Sequence, residues 1–131
     1  MCIFCKIVAG ELPSYKVYED EKTLAFLNIY PSSIGHTIVI PKTHYANLEE
    51  ISETDLTALI LTTKKVGLIL KNKLVAPGYN IASNNDPVAG QQIPHIHFHL
   101  IPRHSGDGLG DWPKVEYAHG EIDEIFKKLT S

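Results

Sequence analysis

The stretch from residue 95 to residue 101 constrains the fold most, because histidine and apolar residues alternate along it up to Leu100. Successive side chains of a β-strand point to opposite faces of the sheet. The alternation therefore predicts a strand over 95–101, closed by Pro102, with His95, His97 and His99 on one face. At about 3.3 Å of rise per residue, neighbouring histidines would stand roughly 6–7 Å apart. The apolar face would anchor this row in the core.

Four further strands and two helices are predicted from shorter patterns. The strands are predicted over Tyr15–Glu19, Thr23–Leu27, His36–Ile40 and Tyr79–Ser83. Ser52 has the position of an N-cap before a long amphipathic helix, which Pro77-Gly78 ends. The predicted buried face of that helix recurs at intervals of three and four, over Leu56, Leu59, Ile60, Thr63, Gly67, Leu70 and Leu74. A short helix near the C-terminus is predicted from Ile122, Ile125, Phe126 and Leu129.

These elements predict an α+β fold with a mostly antiparallel five-stranded sheet, one long helix and one short C-terminal helix. We expect the helices to pack on one face of the sheet. The chain has 131 residues, so it can form a single domain over residues 1–131 with a sizeable core and no cross-links.

Composition excludes several classes of function. The net charge of -3 argues against a broad basic surface for nucleic acid. No apolar run approaches the length of a membrane span, and Met1–Ile7 lacks the pattern of a signal peptide. The two cysteines, Cys2 and Cys5, are too close together in the sequence for a disulfide between them to stabilise the fold. We therefore expect a cytoplasmic protein with no nucleic-acid or membrane partner.

The histidine row predicts phosphoryl or nucleotidyl transfer. Neutral imidazole is a good nucleophile near neutral pH, and a rigid strand holds it in fixed geometry. Two other interpretations are open: ordinary hydrogen-bonded polar residues, or a catalytic metal bound through His97 with one open position. The loop 84–92 offers glycine, amides and backbone N–H groups to an anion, although many solvated turns have this composition.

Cys2-x-x-Cys5 has a spacing that is common in zinc sites. A redox pair is the alternative, but it would normally sit at a strand-to-helix junction in a βαβ unit, which the N-terminus lacks.

The run 95–101 resembles the signature of the histidine triad family. The similarity extends to residues 2–8, 26–28 and 35–44 and to Gly90-Gln91, and is greatest to the small nucleotide-binding branch. The resemblance implies a homodimer that joins two sheets into one, and Trp112 in the C-terminal tail would contribute to the partner's site.

The resemblance implies a role for each histidine of the row. His97 would attack the α-phosphate and form a nucleotidyl-histidine intermediate, while a backbone carbonyl holds its ring in the reactive tautomer. His99 would donate to a phosphoryl oxygen, and His36 would buttress the triad. His95, the first triad histidine, would join Cys2, Cys5 and His44 as a ligand of a closed and therefore structural zinc site.

The substrate implied by the resemblance is a purine nucleotide. Asn28 would bind the ribose hydroxyls, and Asn84, Gly90, Gln91 and Gln92 would lie near the phosphate. Gln92 stands where relatives often carry Ser or Thr. The base would be walled by Phe4, Ile7, Phe26 and Ile29, for which an ordinary core position is an equal alternative.

The function expected is hydrolysis or transfer at the α-phosphate of an adenosine phosphoramidate, an aminoacyl adenylate or a diadenosine polyphosphate. The alternatives are a nucleotide-binding interaction module with incidental catalysis, and metal-dependent hydrolysis.

Overall fold

A computed structural model describes residues 2–131. The strands are β1 (Lys16–Glu19), β2 (Thr23–Leu27), β3 (Thr37–Pro41), β4 (Gly78–Ala82) and β5 (Phe98–Arg103). The helices are α1 (Ile3–Val8), α2 (Glu53–Lys73) and α3 (Glu121–Thr130), with a short 3₁₀ turn at Pro87–Ala89. The five strands form one sheet in the order β1-β2-β3-β5-β4, and every neighbouring pair is antiparallel. The predicted α+β fold is confirmed.

The sheet has a buried core on each face. The α2 face is filled by apolar residues of β2, β3 and β5 and the buried side of α2. The opposite face carries a second cluster, in which α1 packs on Leu24, Phe26, Ile38 and Ile40. The prediction that the helices share one face is therefore wrong. Helix α1 was not predicted, because six residues are too few to show a helical period.

Helix α2 begins as predicted, since the Ser52 hydroxyl accepts a hydrogen bond from the Asp55 N–H at 3.1 Å. Its buried residues are Leu59, Thr62, Thr63, Val66, Gly67 and Leu70. Ile60 and Leu74, predicted to be buried, are exposed instead, because the contact stripe on the sheet lies to one side of them. Gly67 leaves room for the ring of Tyr79 on β4, where a Cβ would come within 2.4 Å of that ring.

The strand predicted over 95–101 begins later, at Phe98, and continues through Pro102 to Arg103. The preceding residues make other hydrogen bonds: the Ile96 N–H donates to the Tyr45 carbonyl at 2.8 Å. The bounds of β1, β3 and β4 differ from the prediction by one residue at one or both ends.

The segment 104–131 makes the sharpest contrast with the rest of the chain, because all of its residues are exposed. Helix α3 forms as predicted, but its apolar residues Ile122, Ile125, Phe126 and Leu129 are exposed to solvent. Within residues 2–131, no helix has the length and apolar character needed to cross a membrane.

Candidate active site and metal centre

His97 is held in one tautomer by its own backbone neighbourhood. Its Nδ1 lies 2.8 Å from the carbonyl oxygen of His95. Because a carbonyl can only accept, Nδ1 carries the proton and Nε2 carries the lone pair. The ring packs edge-on against Phe4, with ring centroids 5.1 Å apart. The hydroxyl of Ser83 donates to the His97 carbonyl at 2.9 Å and fixes the backbone at this point.

The Nε2 atom of His97 is available for chemistry although the residue is only 5% exposed. It forms no hydrogen bond with any group of residues 2–131, and within that range the only fully buried side-chain polar atom without a partner is Ser14 Oγ. Nε2 of His97 therefore retains contact with solvent. Burial lowers the pKa of His97, against the hydrogen bond to the His95 carbonyl, which raises it. The ring is thus neutral and nucleophilic near neutral pH.

A chain of hydrogen bonds fixes the tautomers of two more histidines. The Ser32 backbone N–H donates to His36 Nδ1 at 3.0 Å, so the proton of a neutral His36 is on Nε2. That Nε2 lies 2.9 Å from His99 Nδ1 and donates to it. His99 then carries its own proton on Nε2, where it can serve as a donor to an anion. His36 thus contacts the triad directly through His99.

The rings of His97 and His99 lie closer together than the flat row predicts. Their centroids are 4.8 Å apart at an angle of 74°, because the rings lean toward each other and because β5 begins only at Phe98. Burial lowers the pKa of His99 to about 4, with further contributions from His97 and His36. Burial also lowers the pKa of His36. The three active-site histidines, His36, His97 and His99, are therefore neutral together.

Four predicted ligands meet at the N-terminal end of the site. The sulfur atoms of Cys2 and Cys5 and the Nδ1 atoms of His44 and His95 all lie within 4.8 Å of one another, and we call these four residues the metal cluster. The two sulfur atoms are 3.1 Å apart, the two nitrogens 3.2 Å, and each sulfur lies 3.3–3.6 Å from each nitrogen.

The sulfur–nitrogen distances fit one tetrahedral metal ion, while the two sulfur atoms lie closer together than in a metal-bound pair. Zinc at ordinary bond lengths would place its ligand atoms about 3.4–3.8 Å apart, close to the sulfur–nitrogen separations observed. The His95 Nε2 donates to the Pro41 carbonyl at 2.8 Å, which leaves the His95 Nδ1 lone pair directed at the cluster. Burial and the adjacent Cys2 thiol raise the pKa of the Cys5 thiol, so a cation is the group that would favour its thiolate.

His97 lies outside the metal cluster, which is the one group of three or more such ligands found in residues 2–131. The interpretation of a catalytic metal bound through His97 therefore has no geometric support. His95 belongs to both halves of the site: its ring reaches the metal cluster, and its carbonyl orients His97. The structure also favours metal binding over a redox pair for Cys2 and Cys5, since two histidine nitrogens share the cluster with them.

The loop 84–92 is more self-contained than the sequence suggests. The N–H groups of Ala89 and Gln91 donate to the Asp86 carbonyl, and that of Gly90 to the Pro87 carbonyl, so they are not free for an anion. The Gln92 N–H, by contrast, has no hydrogen-bond partner within the described residues. Gly90 has φ +93°, and its carbonyl accepts from Asn84 Nδ2 at 3.3 Å.

The structure places the Gln91 side chain on backbone groups. Its Oε1 accepts from the Asp86 N–H at 2.7 Å, and its Nε2 donates to the carbonyls of Ala46 and Ile93 at 2.6 and 3.1 Å. The carboxamide is thus fully engaged within the protein.

Three of the four predicted base-wall residues lie together. Phe4, Ile7 and Phe26 are buried in the cluster under α1, with the two phenyl rings 5.5 Å apart. Ile29 is 68% exposed and stands apart from that cluster. Asn28 is half-buried, and its side-chain oxygen accepts from the Tyr30 N–H at 2.8 Å.

Sequence reasoning missed the groups that orient the histidines. Ser32 acts through its backbone N–H, and Pro41 through its carbonyl, so neither side chain marks the role. Cys2 also caps α1, since its sulfur accepts from the Cys5 N–H at 3.2 Å. His104 and His119 are exposed and lie outside the site.

Comparison with known proteins identifies the family. The HIT domain matches residues 9–106. An uncharacterized HIT-like protein of Methanocaldococcus jannaschii is 47% identical over 98% of both chains. An adenosine 5'-monophosphoramidase of Candida albicans is 39% identical over 98% of this chain and 88% of its own.

Two solved structures agree in fold. A HIT family protein from Bacillus subtilis gives a TM-score of 0.89 at 39% identity, covering 98% of this chain and 94% of its own. A zinc-bound histidine triad family protein from Mycobacterium smegmatis gives 0.80 at 33% identity, covering 98% and 95%. The chain therefore belongs to the HIT domain family.

Proposed function

We propose that the protein hydrolyses a phosphoramidate or phosphoanhydride bond at the α-phosphate of a purine nucleotide, with His97 as the nucleophile. The observation that supports this most is the tautomer of His97, whose proton is on the carbonyl-bound Nδ1 and whose lone pair is on Nε2. The adenosine 5'-monophosphoramidase from Candida albicans, 39% identical, supports a purine nucleotide with an amine leaving group.

The proposed reaction has two steps. Nε2 of His97 attacks the α-phosphorus, a nitrogen–phosphorus bond forms, and the bond to the amine or phosphate leaving group breaks as that group takes a proton from solvent, which the water of the second step returns. Water then attacks the nucleotidyl-histidine, which releases the nucleoside monophosphate and regenerates the neutral ring. His99 donates from Nε2 to a phosphoryl oxygen and stabilises the charge that develops there.

The binding residues follow from their positions. Phe4, Ile7 and Phe26 would contact the base from the cluster under α1, and Ile29, which is exposed outside that cluster, would reach the base from solvent. Asn28 would bind the ribose hydroxyls through its amide group. Asn84, Gly90 and Gln92 would border the phosphate, where the Gln92 N–H has no partner within residues 2–131.

The test is a panel of adenosine phosphoramidate, aminoacyl adenylate and diadenosine polyphosphate, with rapid acid-free quenching and intact-mass detection. We expect an adduct of one nucleoside monophosphate on the wild-type chain and none on a His97→Asn variant. Slow turnover of every nucleotide without an adduct, together with tight binding to a protein partner, would favour an interaction module instead.

We further propose that the metal cluster holds a structural zinc ion. Cys2, Cys5, His44 and His95 supply two thiolates and two imidazoles, and with four protein ligands no position stays open for substrate. Such an ion would stabilise the fold and fix the start of the histidine segment, without taking part in bond breaking. Keeping both cysteines reduced suits the cytoplasm, which is the location we propose.

We propose that the protein is a homodimer in which two β4 strands join the sheets. Strand β4 pairs with β5 on one side only, and Ile81 beside this free edge is 49% exposed. On the same side of the sheet, α2 exposes Ile60 and Leu68. An unpaired edge next to apolar surface is typical of an interface.

A second copy also suits the C-terminal tail. Helix α3 has an exposed apolar face, acidic residues in its first turn and basic residues in its last turn. The tail leading to it exposes Trp112. A twofold interface requires a self-complementary surface, and a helix with opposite charges at its ends meets an antiparallel copy of itself favourably.

Light scattering of the full chain tests the dimer. We expect twice the chain mass of 14.6 kDa. An Ile81→Lys variant should shift toward the monomer, because a charged residue at the edge opposes pairing. A wild-type mass of one chain at assay concentration would contradict the proposal.

A further inference from the structure

We infer that Gln91 is a positioning residue of the proposed phosphate-binding loop, residues 84–92. Its carboxamide joins this loop to the two segments that carry His44 and His95. The inference rests on the proposed function and assigns the Gln91 side chain a role other than contact with substrate.

The three hydrogen bonds of Gln91 reach three separate parts of the chain. The Asp86 N–H belongs to the loop itself, the Ala46 carbonyl lies two residues after His44, and the Ile93 carbonyl lies two residues before His95. The same Ile93 carbonyl accepts the N–H of His95 at 2.8 Å. One side chain therefore fixes the loop relative to both histidine segments.

Gln91 is the buried member of this set of contacts. It is 9% exposed, whereas the two other contacts between the loop and the segment 46–50, from Asn47 to Asp86 and from the Leu48 N–H to Asn85, are exposed. Hydrogen bonds to buried backbone groups are costly to leave unmade, while exposed ones are readily replaced by water. The Gln91 contacts are thus the ones that determine where the loop sits.

The loop needs such an external support because its own conformation is uncommon. Asp86 has φ +74°, a value that non-glycine residues rarely adopt, and Gly90 has φ +93°. The Asp86 N–H is held by Gln91 Oε1, and the Gln92 N–H that borders the site follows Gln91 directly. Displacing this turn by about 1 Å would move a phosphate donor out of reach, a change that can lower turnover by about 100-fold.

The test compares AMP and adenosine, which differ by the phosphate. Calorimetry on the full-length protein should show that Gln91→Leu weakens AMP binding by about tenfold or more and leaves adenosine binding within twofold. Gln91→Glu keeps the size and the acceptor but sets a carboxylate oxygen against two carbonyls, so it should behave in the same way. Zinc content should stay unchanged in both variants.

Thr62→Val is the matched control. It removes the buried hydroxyl pair that Thr62 forms with Thr23 at 2.7 Å, away from the loop, so it lowers stability without displacing the phosphate site. Its AMP and adenosine affinities should equal those of the wild type.

Two results would overturn the inference: AMP binding unaffected in both Gln91 variants, or equal losses for AMP and adenosine. A failure of the proposed function looks different, because a wild-type protein that binds AMP and forms no histidine adduct would leave the AMP-specific effect of Gln91 in place.

Discussion

In the metal cluster, the Nδ1 atoms of His44 and His95 lie beside two sulfur atoms. Among the histidines of the candidate active site, by contrast, His36 donates a hydrogen bond to His99, and His97 donates one to a carbonyl and keeps its Nε2 lone pair free. The two groups are built from the same side chain and adjoin at His95. For His36, His95 and His97, the difference lies in which backbone group the ring contacts.

A carbonyl beside Nε2 leaves the Nδ1 lone pair of His95 free for the proposed metal, and a carbonyl beside Nδ1 leaves the Nε2 lone pair of His97 free for the proposed attack on phosphorus. A backbone N–H beside Nδ1 makes His36 a donor toward His99. In each of these three histidines, one neighbouring peptide group determines which ring nitrogen keeps its lone pair. We expect substitutions in the metal cluster and among the active-site histidines to have different effects on zinc binding and on turnover.

The largest expected effect is a loss of turnover that leaves zinc binding unchanged. His97→Asn removes the nucleophile, so turnover should fall roughly 10⁴-fold, a loss typical of removing one member of a catalytic set. The metal cluster does not include His97, so bound zinc should stay at the wild-type level. The measurement is steady-state kinetics together with metal analysis. His104→Asn, at an exposed histidine, is the control and should change neither.

Cys5→Ser should give the converse pattern. Loss of one ligand should remove bound zinc and lower the free energy of unfolding by about 3 kcal/mol, or the melting temperature by roughly 10 °C. Turnover should fall less, by roughly 10–100-fold, because the chain keeps His97 but loses the ion that fixes His95. Retention of a full equivalent of tightly bound zinc would contradict this ligand set.

His36→Phe tests the relay of tautomers. Without the donor on Nε2, the proton of His99 is free to move to its Nδ1, and turnover should fall roughly 10-fold or more. His36→Gln keeps an N–H donor near that position and should recover part of the loss. Nitrogen NMR of the His99 ring would report the tautomer, and an unchanged Nε2–H form in His36→Phe would refute the relay.

The smallest effect is the pH dependence of stability. The folded-state pKa of His99 is lowered to about 4 by burial and by His97 and His36, from about 6.5 in the unfolded chain. Between pH 6.5 and pH 4, His99 binds a proton in the unfolded chain but not in the folded protein. The free energy of unfolding therefore falls as the pH falls from 6.5 to 4. After allowance for partial exposure, His99 should contribute on the order of 1 kcal/mol.

Denaturant titrations of the wild type and His99→Asn at several pH values measure this contribution as the difference between the two curves. Parallel curves over this range would show that His99 does not titrate as described.

Those parts of the site that consist of one residue type in a regular pattern could be predicted from the sequence. The alternating histidines and the Cys2-x-x-Cys5 spacing predicted the histidine row and a pair of metal ligands, and the long helix and the sheet followed from periodicity. The resemblance to the histidine triad family added His36 to the row and His44 and His95 to the ligand set. The strand bounds around His95 were wrong because a turn and a hydrogen bond to Tyr45 replace the ladder there.

The backbone groups that determine the histidine tautomers could not be predicted. Nearly every residue has the same peptide group, so the sequence does not indicate which of these groups contacts a histidine ring. The resemblance to the family implies that Gln91 lies near the phosphate, and nothing in the sequence indicates the three backbone partners of its carboxamide. Tail residues such as Phe126 carry a helical apolar pattern, but the pattern does not say which surface covers it.

Helix α1 spans only Ile3–Val8, far below the length at which an isolated helix persists in water. Its first turn is tied down by a sulfur atom of Cys2, and its buried side presents Phe4 to the ring of His97. A group that binds the Cys2 sulfur therefore also holds the Phe4 ring against the imidazole of His97. Removal of the proposed zinc ion would then loosen α1, and His97 would lose part of the burial that lowers its pKa.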